Sequence, residues 1–158
     1  MKKQSALGPE FYDRSYYLRS LPGLEHLNNP EVIDSAAAET ARFGRIKSGD
    51  RILDFGCGRG SLAIALAKKG SSVLGVDFSR DAIDFAQEYR KRFADEIQKR
   101  AEFQLMTMEE LDWKGEFDVI VVNQVYEHLH DWELEILIPK FRRALKATGR
   151  LVISTPNL

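Results

Sequence analysis

A single cysteine, Cys57, in 158 residues excludes an intrachain disulfide and makes a reducing compartment, the cytoplasm, the expected setting. Long apolar runs are missing as well: stretches such as Val119 to Val122 fall far short of the ~18–20 residues that a membrane span needs. The first ten residues hold two lysines but no apolar stretch, so they do not read as a secretory signal. Neither sign of charge dominates. With 23 basic against 24 acidic residues the net charge is -1, which leaves no general basic field for a nucleic-acid backbone. Repeats and low-complexity tracts are absent too. What remains is the composition of one globular domain: 44% hydrophobic and 30% charged residues argue against disorder. A chain this long buries about 68–70% of its unfolded surface without needing a metal or disulfide staple.

The first 30 residues are punctuated by Gly8-Pro9, Pro22-Gly23 and Asn28-Asn29-Pro30, with Phe11, Tyr12, Tyr16 and Tyr17 clustered between them. Glu31 to Phe43 reads as a helix, with Val32, Ile33, Ala36, Ala37 and Ala41 on one side. Residues 1–45 are therefore expected to form an aromatic lid or strap plus a helix, and 46–158 a core. In that core short strands alternate with helices. Strands are expected at Arg51–Phe55, Ser72–Asp77, Phe103–Met106, Phe117–Asn123 and Arg150–Ser154. Between them the pattern predicts a helix over Gly60–Lys69, a long helix capped by Ser79 and reaching about Arg100, a helical turn over Gln124–His130, and a helix opened by Pro139 and running to Lys146. The fold class expected is α/β: Rossmann-like, doubly wound, with a mainly parallel sheet and helices on both faces.

Open parallel sheets bind ligands beyond the carboxyl ends of their strands, where the strand order reverses. The first strand here runs straight into Asp54-Phe55-Gly56-Cys57-Gly58-Arg59-Gly60, and a helix begins at once. Glycines at alternate positions let the backbone turn tightly and approach a ligand, and N–H groups at the helix start would face it. Asp77 closes the next strand about twenty residues on, where a carboxylate can accept from both hydroxyls of a ribose. Its bland reading is the capping of the following helix. The loop spells G-x-G-x-G, not the dinucleotide G-x-G-x-x-G, and it carries an acid, Asp54, two residues ahead of its first glycine. A carboxylate there repels a pyrophosphate and suits an ammonium group, so the loop points away from NAD and toward a nucleoside with a cationic amino-acid end.

In ILDFGCGRG (Ile52 to Gly60) and VDFS (Val76 to Ser79) the chain resembles the class I, Rossmann-like S-adenosylmethionine-dependent methyltransferases. The likeness continues through MEELDW (Met108 to Trp113), FDVIVVNQVYEHL (Phe117 to Leu129) and FRRALKATGRLVISTPN (Phe141 to Asn157), within the group that acts on small molecules in ubiquinone-type pathways. The resemblance implies S-adenosylmethionine as cofactor and methyl transfer to an oxygen or nitrogen of a small-molecule acceptor. It implies that Gly56, Cys57, Gly58 and Gly60 shape the pocket for the methionine part, with Asp54 behind them. Asp77 would then bind the ribose, Phe78 lie against the adenine, Thr107 and Met108 border its edge, and Asn123 and Gln124 sit beside the methionine moiety. Many relatives have an acid in place of Thr107, whose hydroxyl is a weaker acceptor. Cys57 reads first as a small buried side chain, and Met106 and Met108 read equally as packing residues.

Methyl transfer from a sulfonium needs alignment more than elaborate catalysis, and a base only when the acceptor is a protonated hydroxyl. Glu127 and His128 are the candidate bases, because imidazole changes protonation between pH 5 and 8. A metal-binding relative of this stretch reads E-x-x-E-H; here the first carboxylate is the amide Gln124, so no metal is expected. The aromatic segment Phe11 to Tyr17 would close over the site or pack as a strap. The family usually adds an antiparallel hairpin after its fifth strand. Its apparent lack here leaves Arg150–Ser154 as an open edge, to be covered by a second copy or by a C-terminal segment. Two other functions stay open at this point: a catalytically silent cofactor-binding or assembly module, and an NAD-dependent oxidoreductase, which the loop spacing disfavours.

Overall fold

A computed structural model of the chain describes residues 14–19 and 35–155. Its framework is one five-stranded sheet built from β1 (Arg51–Phe55), β2 (Ser72–Asp77), β3 (Ala101–Leu105), β4 (Phe117–Asn123) and β5 (Leu145–Ser154). The strand order is β3-β2-β1-β4-β5 and every pairing is parallel. The order reverses between β1 and β4, so the expected doubly wound α/β fold is present together with its switch point.

Alternation along the strands explains the two layers. Ile52, Val73, Phe103, Val119 and Val121 face one side, where α2 (Ser35–Phe43), α3 (Ser61–Lys68) and α4 (Arg80–Arg90) bring Ala37, Leu66, Ile83 and Tyr89. Leu53, Val76, Ile120 and Val122 face the other, under α6 (Asp131–Ala144) with its Leu137, Phe141 and Ala144. Burial on both faces is what makes FDVIVVN a near-continuous apolar run rather than an alternating one. A short helix, α1 (Arg14–Arg19), lies against α4 through Tyr17, whose ring is 6.5 Å from that of Phe85.

Three expectations need correction. The long helix from Ser79 breaks: α4 stops at Arg90, and α5 (Asp95–Arg100) runs directly into β3. Phe93 turns inward at the break, edge-on to Tyr89 at 5.0 Å, and Gln98 Nε2 donates to its freed carbonyl at 2.7 Å. With no loop left before β3, the helix has to bend to deliver the chain to the sheet. Pro139 does not open its helix but sits inside α6, which begins at Asp131, where the Glu133 carboxylate accepts from the His130 amide at 2.7 Å. Buried Leu137 and Phe141 flank the proline and hold the helix through it. Finally, β5 starts at Leu145 and crosses an irregular register before pairing Arg150 to Ser154 with Val119 to Asn123. The expected helix over Glu31–Phe43 is seen from Ser35 onward; Val32, Ile33, Phe11 and Tyr12 lie outside the described residues.

Candidate functional site

The carboxyl ends of β1, β2 and β4 converge at the switch point, and each contributes a chemically distinct piece. From β1 the chain enters the glycine loop, where Gly56, Gly58 and Gly60 take φ values of +72°, +51° and +78°. Two of these positions have no room for a side chain. A Cβ at Gly56 would lie 2.5 Å from Val125, and one at Gly60 would lie 2.5 Å from Phe103. Four of the loop amides are already spoken for. Gly56 and Cys57 donate to the Val76 carbonyl at 2.8 and 3.0 Å, Gly60 donates to the Cys57 carbonyl at 2.9 Å, and Gly58 donates to Asp77 Oδ2 at 2.9 Å. The loop therefore offers a ligand mainly its shape, which narrows the expectation that its amides serve as donors. Cys57 is buried, and its thiol is pushed well up, first by burial and then by Asp54 and Asp77. It packs against β2 and shows no sign of a nucleophile's environment.

Asp77, at the end of β2, ties three segments together. One carboxylate oxygen holds Gly58 of the loop and the other accepts from the Ser79 amide at 2.9 Å, while its carbonyl takes the Met106 amide at 2.9 Å. Burial raises its pKa above the ordinary carboxylate value, and the amides of Ser79, Gly58 and Phe78 oppose that shift. Each oxygen retains a lone pair for a further donor. Capping of the next helix falls to its neighbour: Ser79 Oγ accepts from Ala82 at 3.3 Å. Beside it Phe78 leaves 44% of its surface open, unusual for a large aromatic flanked by buried residues.

Asp54 is the anomaly. It sits on the central strand with 2% exposure, and its Oδ2 has no hydrogen-bond partner among the described residues. Burial, and then the charge of Asp77, push its pKa up to about 7. A buried carboxylate oxygen without a partner is costly and calls for a function or a missing donor. A cationic ammonium group beside the loop would satisfy it, which fits the ligand end inferred from the sequence.

On the β4 side, Asn123 bonds Ser154 on β5 through their side chains, and Gln124 follows in a left-handed conformation, φ +54°, with its amide on the Ser154 carbonyl at 2.8 Å. A non-glycine residue held at positive φ stores strain of order 1–3 kcal/mol, a pattern that concentrates at functional sites. The chain then forms a 3-10 turn, Tyr126–His128, that presents Glu127 and His128 to solvent. Among the described residues no group of three or more His, Cys, Asp or Glu side chains could hold a metal ion. Thr107 is exposed, with its amide on Glu110 at 2.7 Å, and Met108 packs partly into the core beneath α6.

One contributor, Arg59, escaped the sequence reading, whereas Tyr17 belongs to the aromatic segment named there. Arg59, 5% exposed inside the loop, donates from Nη1 to the Tyr17 carbonyl at 3.1 Å, and so anchors α1. Tyr17, 3% exposed, lies 3.7 Å from the Cβ position of Gly58, and burial followed by Asp77 raises its phenol well above the usual value. Tyr16 beside it feels both Asp77 and Glu127 after its own burial. The strap thus crosses the loop between the β2 and β4 sides. For Arg59 the signal available in advance was a charged residue inside a glycine loop, which ordinarily reads as solvated.

No helix among the described residues is long and apolar enough to cross a membrane. A family profile described as a methyltransferase domain matches residues 24–158. A bovine mitochondrial ubiquinone biosynthesis O-methyltransferase is 34% identical over 161 residues, spanning 99% of this chain and 43% of the relative. The enzyme of the same name from Bradyrhizobium diazoefficiens is 31% identical, over 98% of this chain and 60% of its own length. Among solved structures, a TehB-like SAM-dependent methyltransferase from Corynebacterium glutamicum superposes with a TM-score of 0.67 at 27% identity, covering 92% of this chain and 73% of that one. The chain thus spans only about half the length of the curated relatives it matches.

Proposed function

The chain belongs to the methyltransferase domain family, and from that premise we propose that it binds S-adenosylmethionine at the β1–β4 switch point and methylates a small acceptor. The acceptor atom is an oxygen or a nitrogen; the names of the relatives favour oxygen. The observation that carries the reading is the unpartnered Oδ2 of buried Asp54, one strand from the buried carboxylate of Asp77.

When bound, the cofactor supplies a methyl group already activated on a sulfonium. Asp54 neutralises the ammonium of its amino-acid end, and Asp77 accepts from the sugar hydroxyls with its remaining lone pairs. The open ring of Phe78 takes one face of the adenine, with Thr107 and Met108 at its edge. Asn123 and Gln124 border the methionine part. Glu127 and His128 stand at the acceptor side, where a carboxylate oxygen or ring nitrogen takes the proton of an acceptor hydroxyl. Tyr16 and Tyr17 exclude water from above. The lone buried thiol supports a reducing compartment, the cytoplasm for a bacterial protein; the mammalian relatives are named mitochondrial.

Titration calorimetry with S-adenosylhomocysteine tests binding, and a radiolabelled methyl-transfer screen tests turnover. Asp54→Asn should weaken binding about tenfold or more, or about 1.4 kcal/mol, while Asp77→Ala should lose it more completely because the loop loses its tether. His128→Ala should lower turnover and leave affinity in place. Unaltered affinity in Asp54→Asn removes the ammonium contact, and absence of binding in the wild type removes the whole reading.

A further inference from the structure

Residues 106–116 join β3 to β4 without forming a helix or a strand. Met106 and Leu111 are both fixed. The Met106 amide donates to the Asp77 carbonyl at 2.9 Å, and Leu111, 3% exposed, is buried in one cluster with Leu137 and Phe141 of α6. Between them the chain turns tightly. The Thr107 amide donates to Glu110 Oε2 at 2.7 Å, and the Glu110 amide donates to the Thr107 carbonyl at 3.3 Å. Carbonyls in such a turn have no helix or ladder to supply them with donors.

One side chain supplies two of them. Lys140, on α6, donates from Nζ to the Glu109 carbonyl at 2.6 Å and to the Leu111 carbonyl at 3.0 Å. It stands one turn beyond buried Leu137 and one turn before buried Ala144, at the border of the buried side of the helix. An ammonium is a compact charge with three donors, so it can gather two carbonyls at once, and charge-assisted bonds are stronger than neutral ones. Farther along the connection Arg143 pairs with Asp112, and the Arg143 and Ala144 carbonyls accept from the amides of Gly115 and Glu116. Of these fastenings to α6, the one made by Lys140 lies nearest in sequence to Thr107 and Met108. Phe78 is held by the end of β2, whereas the turn that begins at Thr107 is held by α6. A flat ring binds well between two surfaces only if their separation is set before it arrives.

We propose that Lys140 is a positioning residue for the base of the cofactor: by drawing the Glu109 and Leu111 carbonyls to α6 it sets the wall formed by Thr107 and Met108 opposite Phe78. The role rests on the reading of those three residues as the surroundings of the adenine. Two ligands separate it from a general effect on the fold. S-adenosylhomocysteine carries the base, and S-ribosylhomocysteine keeps the sugar and amino-acid tail without it. In calorimetry on the full chain the wild type should bind the first more tightly. Lys140→Met, which keeps the stem and loses the donors, should weaken S-adenosylhomocysteine about tenfold, the worth of one charge-assisted hydrogen bond, and leave S-ribosylhomocysteine unchanged. Lys140→Arg retains donors for both carbonyls and should recover most of the loss. A wild type that binds both ligands equally overturns the reading of the base site, and the role of Lys140 with it. A wild type that distinguishes them overturns the role of Lys140 alone if Lys140→Met loses both ligands equally or neither, or if the arginine variant is no better than the methionine one.

Discussion

The carboxylate of Asp54 makes both stability and ligand binding depend on pH. Its folded value, about 7, lies above the ordinary 3.8 because burial and then Asp77 disfavour the charge. Between those two values the folded chain holds a proton that the unfolded chain has released, so its contribution to stability is intact below the lower value and is lost as pH rises through about 7. A cationic ligand reverses the balance by favouring the ionised form. Affinity for S-adenosylhomocysteine is therefore predicted to rise from pH 6 to pH 8, and Asp54→Asn to flatten that rise; calorimetry at the two pH values reads both. The residue itself was legible in the sequence, because an acid two positions before a glycine loop is a spacing. Its lack of a hydrogen-bond partner was not, because that depends on which neighbours the sheet supplies. Arg59 shows the opposite failure: its burial depends on α1 arriving from more than forty positions earlier in the chain, a contact that local pattern does not encode.

At the scale of elements, proline and the long-helix break mark where periodicity misled. A proline is the natural opening of a helix, yet α6 carries Pro139 in its interior, where it removes one backbone hydrogen bond and crowds the preceding turn. Core anchorage through Leu137 and Phe141 outweighs that penalty. Pro139→Ala is predicted to stabilise the protein by about 1–2 kcal/mol, the restored helix bond partly offset by a more flexible unfolded chain; urea unfolding measures it as a shift in midpoint at constant slope. The break at Phe93 followed from a different omission. Apolar spacing continued past it, to Ile97, but β3 begins at once after α5 and constrains the path. Strands fared better. FDVIVVN and RILDF were unambiguous because both faces of the sheet are covered, so every position in them answers to the same demand.

For the molecule as a whole, a doubly wound parallel sheet followed from alternation of strand and helix, since crossovers of one hand leave few arrangements, while the place of its reversal, between β1 and β4, came from the structure. The site followed in outline, because the ends of β1, β2 and β4 must then converge. Binding to the folded state alone should stabilise it by mass action. S-adenosylhomocysteine at a hundred times its dissociation constant is predicted to add about 2.7 kcal/mol, seen as a raised thermal midpoint, and NAD to add nothing. The geometry of Asp77 carries one last implication. Its two oxygens clasp Gly58 and Ser79 whether or not a sugar arrives. Natural selection therefore has two reasons to retain this aspartate, and a descendant that abandoned methyl transfer but kept its architecture would keep it as well. Its presence in a genome's reading frame testifies to the loop's shape before it testifies to a living enzyme.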